Sequence, residues 1–102
     1  MNRLDTAQYR SLEGSLFTLQ PPERQWSITL RLDTVKELGS RVTQAGATPC
    51  YSLSFSQQEL ERGYAPQGLY LLRHDVLGEQ ELFVVPVGPS ATAQMRYEVI
   101  FN

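Results

Sequence analysis

From Trp26 to Asp33 the chain alternates: Trp26, Ile28, Leu30 and Leu32 take every second position, and Ser27, Thr29, Arg31 and Asp33 fill the gaps. In an extended chain successive side chains point to opposite faces, so this segment has one dry face and one wet face. On a helix the same four apolar groups would be spread around the axis, and no stripe would form. A half-buried antiparallel strand follows. Tyr51, Leu53 and Phe55 alternate with Ser52, Ser54 and Ser56 in the same way, and Met95, Tyr97, Val99 and Phe101 alternate with Arg96, Glu98, Ile100 and Asn102. Phe17 to Leu19 is a shorter first strand. Leu69–His74 and Leu82–Val87 are apolar on both faces and flank the turn-rich Asp75–Gln80, which describes a hairpin whose second face is also covered. Pro86 has no N–H for the ladder and belongs at an edge, a bulge or a closing corner.

Stop signals lie between these runs: Pro21-Pro22, Gly46, Pro66-Gln67-Gly68, Gly78 and Gly88-Pro89-Ser90. Residues 4–14 form a short helix, with Asp5 as its cap, Gln8 at the capping-box position, Leu4 stapled to Tyr9 and Gly14 at its end. Its narrow Tyr9/Leu12 stripe suits a plug or lid. Ser56-Gln57-Gln58-Glu59, with Gly63 behind it, predicts one or two helical turns, and Thr34-Val35-Lys36-Glu37 before Gly39 repeats the pattern. Six short strands in 102 residues predict a mainly β, single domain over residues 1–102. The architecture is a small antiparallel six-stranded barrel with a short N-terminal helix, the alternative being a β-sandwich. Trp26, Ile28, Leu30, Leu32, Leu53, Phe55, Leu71, Phe83, Val85, Tyr97, Val99 and Phe101 are the expected inward residues.

Composition narrows the function. Nine Lys plus Arg against eleven Asp plus Glu give a net charge of -2, which lacks the basic footprint of a nucleic-acid binder. No segment reaches the roughly 18 apolar residues of a membrane span, and the N-terminus lacks a secretory core. A cytoplasmic protein with no tail for tethering is expected. Cys50 is the only cysteine, so no internal disulfide forms and no thiolate cluster holds a metal. Beside Pro49, it reads as a small apolar filler.

Reactive constellations are sparse. His74 is the sole histidine. Its neighbour Asp75 faces the other way on a continuing strand, so His74 reads as a surface histidine at a strand end. Glu79/Glu81 and Glu59/Glu61 are carboxylates two apart, and they read as solvated charges unless a cleft brings them together. A Gly-x-Ser-x-Gly elbow, a dinucleotide fingerprint and a phosphate loop are all absent from the sequence, so no catalytic residue, cofactor or metal is assigned. Arg31 interrupts a wet face, where it discourages sheet pairing or anchors an interface. Tyr64, in the Gly63–Pro66 loop, has the same two readings.

Tyr51–Phe55, Pro66–Tyr70, His74–Gly78, Leu82–Gly88 and Tyr97–Asn102, together with Phe17 and Leu30, resemble a bacterial family of small domains of unknown function. The motifs are turn and core signatures. The resemblance implies members encoded near phage-tail-like or tail-collar proteins, and hence a structural or assembly role; it carries no functional residue over. The expected function is a non-catalytic module that binds another protein or itself, with Arg31, Tyr64, His74 and Pro86 as candidate partner-binding residues. A barrel holding a small apolar ligand is the alternative, opposed by bulky inward residues and by six strands where about eight leave room. A hydrolase using His74 stands third. The doubly apolar hairpin needs a cover, supplied by the N-terminal helix or by a partner.

Overall fold

The computed structural model describes residues 6–59, 63–90 and 93–101, the side chain of Thr43 excepted. Along the chain come α1 (Thr6–Arg10), β1 (Leu16–Gln20), β2 (Ile28–Thr43), β3 (Gly46–Gln57), β4 (Gly68–His74), β5 (Gly78–Pro89) and β6 (Met95–Phe101). Every pairing is antiparallel, in the order β1-β2-β3-β6-β5-β4, and β4 returns to pair with β1. The single sheet therefore closes in a ring, which removes the sandwich alternative.

Alternation places the core. Phe17 and Leu19 on β1 oppose Leu30 and Ile28 on β2, while Leu32 opposes Phe55, and Phe55 in turn opposes Tyr97. Leu19, Leu30, Leu32, Leu53, Phe55 and Tyr97 are wholly enclosed, so side chains fill the interior as in other small barrels. Trp26, expected to begin the inward row, precedes β2 and is half-buried, tilted against Tyr70.

The turn expected at Thr34–Glu37 is strand. β2 runs on to Thr43, with register shifts between Leu32 and Thr34 and between Glu37 and Gly39. A bulge adds one residue and moves the inward phase from even positions (Ile28, Leu30, Leu32) to odd (Val35). That slip removes the period-two signal and leaves a pattern resembling a capped turn. Asp33, the extra residue, accepts bonds from Arg31 Nε at 2.8 Å and Ser56 Oγ at 3.2 Å. Gly39, which re-enters the ladder after the second bulge, has φ +99°, a conformation costly for any residue with a Cβ.

Local segments fill both ends of the ring. At one end Tyr9 of α1 is buried against Tyr51 and Phe101, and its hydroxyl donates to Gln80. The helix is shorter than expected, and residues 11–14 continue it as turns; Leu4 and Asp5 lie outside the described residues. At the other end, the helical turns expected from Ser56 do not form among the described residues. Ser56 and Gln57 complete β3, Gln58 and Glu59 are irregular, and Glu61 lies outside the described residues. Glu59 instead accepts the Thr29 N–H at 2.8 Å. Tyr97 donates to Gln57 Oε1 at 2.6 Å and accepts the Ala65 N–H at 2.8 Å, which binds the 63–67 loop over this opening.

Candidate functional site

In the β4–β5 hairpin the inward phase is opposite to expectation. Tyr70, Leu72 and Val84 are buried, whereas Phe83 is 50% exposed and Leu71 and Val85 are half-exposed. Both alternate sets of this hairpin are apolar, so its pattern cannot choose a face. The ring chooses: β4 pairs with β1 through Leu19↔Leu72, which directs Leu72 inward beside the enclosed Leu19. The other set then faces outward. Leu69, 54% exposed, lies directly opposite Phe83, and Leu71 and Val85 extend the patch along the two strands.

The N-terminal helix is not the cover for this face. Tyr9 anchors it at the end of the ring, and α1 packs against β2. The charges bordering the patch are of both signs, with exposed Arg73 the next outward residue after Leu71 on β4 and exposed Arg96 the next outward residue to Glu98 on β6. Glu81 opposes Leu71, and Glu98 of β6 opposes Val85; neither carboxylate makes a hydrogen bond or ion pair with the described residues. Glu79, one outward position further along β5, is different. Arg24 holds it bidentately at 2.8 Å, and that hydrogen bond moves its carboxyl below the ordinary value.

The sequence candidates are dispersed. Arg31 lies exposed on β2 beside Asp33, Tyr64 is exposed in the loop over the far end, and Pro86 is half-buried where the β5–β6 register shifts before Gly88. His74 ends β4 as expected, but it is 8% exposed instead of on the surface, because its ring packs 4.6 Å from that of Phe17.

His74 and Ser15 form a serine–histidine pair, 3.1 Å between Nε2 and Oγ. The Val76 N–H donates to Nδ1 at 2.9 Å, so the proton of the neutral ring sits on Nε2 and is donated to Ser15, whose hydroxyl donates to the Leu12 carbonyl. A nucleophile–base pair has the opposite polarity, with Nε2 accepting from the serine. Here the bonds lock the α1–β1 junction to the end of β4. Cys50 is half-buried with Sγ 3.8 Å from the Thr48 carbonyl. Among the described residues no group of three or more His, Cys, Asp or Glu is placed to hold a metal, and no helix is long and apolar enough to cross a membrane.

The architecture is thus that of a closed, filled antiparallel β-domain displaying an apolar outer face. By its sequence the chain belongs to the family described as Domain of unknown function (DUF6916), whose model matches residues 4–101. No curated protein and no solved structure matches it significantly.

Proposed function

We propose that the chain is a non-catalytic docking domain that acts in a protein assembly by offering the outer face of β4–β5 to a protein partner. One observation carries this reading: Leu69 and Phe83, directly paired across two strands, each leave half their surface in water. Burying the exposed half of each would contribute about 1 kcal/mol per side chain, and fold stability leaves that contribution unused. An uncovered apolar face with polar borders is the ordinary appearance of an interaction site. The packed interior favours this over a ligand-holding barrel, since Leu19, Leu30, Leu53, Phe55 and Tyr97 occupy the space a ligand would need. An accessory role in a large, tail-like assembly in the cytoplasm suits the sequence resemblance and the lone, unpaired Cys50.

The test is capture from the native host with wild-type chain and with Phe83→Arg. Proteins retained by the wild type and lost by the variant, whose circular dichroism is unchanged, support the reading. A wild-type chain that stays monomeric and retains no protein contradicts it.

A further inference from the structure

Independently of that docking reading, we propose that His74 is a proton sensor: the neutral ring latches the β4–β5 turn, and the protonated ring releases Val76. His74 is the sole histidine, and histidine is the side chain whose charge ordinarily changes close to neutrality. The two nitrogens of its ring have unequal roles. Nδ1 accepts the Val76 N–H at 2.9 Å, while Nε2 donates to Ser15 Oγ at 3.1 Å. Nδ1 is therefore the site at which a solvent proton adds, and the bond it already makes uses the lone pair which that proton takes. Once the new N–H bond forms, the ring carries one positive charge, and two donors, Nδ1–H and the Val76 N–H, confront each other. One of them must move.

The surroundings decide which. Nε2 keeps its hydrogen in both states, so the bond to Ser15 survives, and Ser15 is itself fixed by donation to the Leu12 carbonyl. The Phe17 ring lies 4.6 Å away, inclined by 49°, a distance at which an aromatic ring also attracts a cation. These contacts hold the imidazole in either charge state. The Val76 side is freer: Asp75, Val76 and Leu77 form the turn beyond the His74↔Gly78 pair, and Val76 is 77% exposed. Most charges nearby are committed elsewhere. Arg73 points from β4 to the outer face, and β1 from Leu16 to Gln20 carries no charge. Glu13, at the α1–β1 junction, is engaged by the Val35 N–H, Arg31 and Asp33 of β2 bond each other, and Glu79 of β5 is held by Arg24. Asp75 is exposed, follows His74 directly and has no ion-pair partner among the described residues. In the released turn its carboxylate can accept the new Nδ1–H. The turn thus has two bonded arrangements, one for each charge state of the ring, which is what a local switch requires.

An NMR titration of the full chain from about pH 7.5 to 5, the range in which histidine ordinarily takes its proton, tests this. In wild type the ring nitrogen shifts should place the hydrogen of the neutral form on Nε2. The Val76 amide should then respond in step with the His74 ring. Its protection from exchange, corrected for the intrinsic pH dependence, should fall roughly two- to tenfold on protonation, the worth of one hydrogen bond. His74→Asn supplies an uncharged acceptor near the place of Nδ1 and should leave the Val76 amide indifferent to pH over this range. Asp75→Asn should keep the response, because Nδ1 still gains its hydrogen. A ring that takes no proton above about pH 5, a neutral ring with its hydrogen on Nδ1, or a ring that titrates while Val76 stays unchanged overturns the inference. So does a Val76 response that persists in His74→Asn or vanishes in Asp75→Asn. Should His74→Asn fail to fold, the wild-type titration and Asp75→Asn decide the matter.

Discussion

Tyr97 occupies a fully enclosed position at which its hydroxyl both donates to Gln57 and accepts from the Ala65 N–H. Removing that oxygen takes away the acceptor of the buried Ala65 N–H and the bond to Gln57, so Tyr97→Phe should cost about 1–3 kcal/mol, measured by denaturant unfolding. Burial raises the Tyr97 pKa above its ordinary 10.0, and burial likewise raises those of Tyr9 and Tyr70. A raised folded-state pKa means that this contribution is fully present below the unfolded value and is lost as pH rises through the folded one. Unfolding free energy should therefore fall between about pH 9 and 12, and less steeply in Tyr97→Phe. A profile identical in the two proteins would show that Tyr97 is not enclosed. Little of this was legible beforehand. Tyr97 was readable as an inward residue by its parity, but its partners lie 40 and 32 positions away, and only closure of the ring brings them together.

Within single elements, the hydrophobic period was readable wherever one face is dry and unreadable wherever a bulge or a doubly apolar strand removes the contrast. β3 and β6 kept their parity. β2 kept it as far as Leu32, then lost it at the Asp33 bulge, and the β4–β5 hairpin had none to read. Adjacent leucines on β4 check the phase there. Leu72→Ala should cost about 2–5 kcal/mol, as for other enclosed leucines, and Leu71→Ala less than about 1 kcal/mol. Equal costs in chemical denaturation would contradict the assigned phase. Beyond the Glu37↔Tyr51 pair β2 and β3 continue as a two-stranded arm with no other described strand beside them, and this arm provides a second check. Gly39 to Cys50 has ladder bonds but little packing, so its amides should exchange with solvent far sooner than those of Leu53–Phe55 at low protein concentration. Uniform protection through β3 would show that the arm is covered even in the isolated chain.

For the whole molecule, the two ends and the interior of the ring are occupied by its own residues, and the apolar surface left over lies outside. The candidate partner residues chosen from sequence were scattered because each was judged by residue type. The site that emerged depends on which of two equally apolar rows the closed sheet turns outward, and no local pattern contains that information. What the sequence did contain was the surplus itself: a hairpin with more apolar positions than one core can bury. In the proposed docking role Phe83 serves association and not folding.

Hydroxyl-radical footprinting of Phe83 measures this directly, comparing the dilute, purified chain with the chain in extract of the cells that make it. The ring is predicted to be modified readily when the chain is alone and to be protected in the extract, with Leu72 protected in both. Equal modification of Phe83 in the two settings, or protection of Phe83 in the dilute chain, would contradict the assignment of β4–β5 as a docking face.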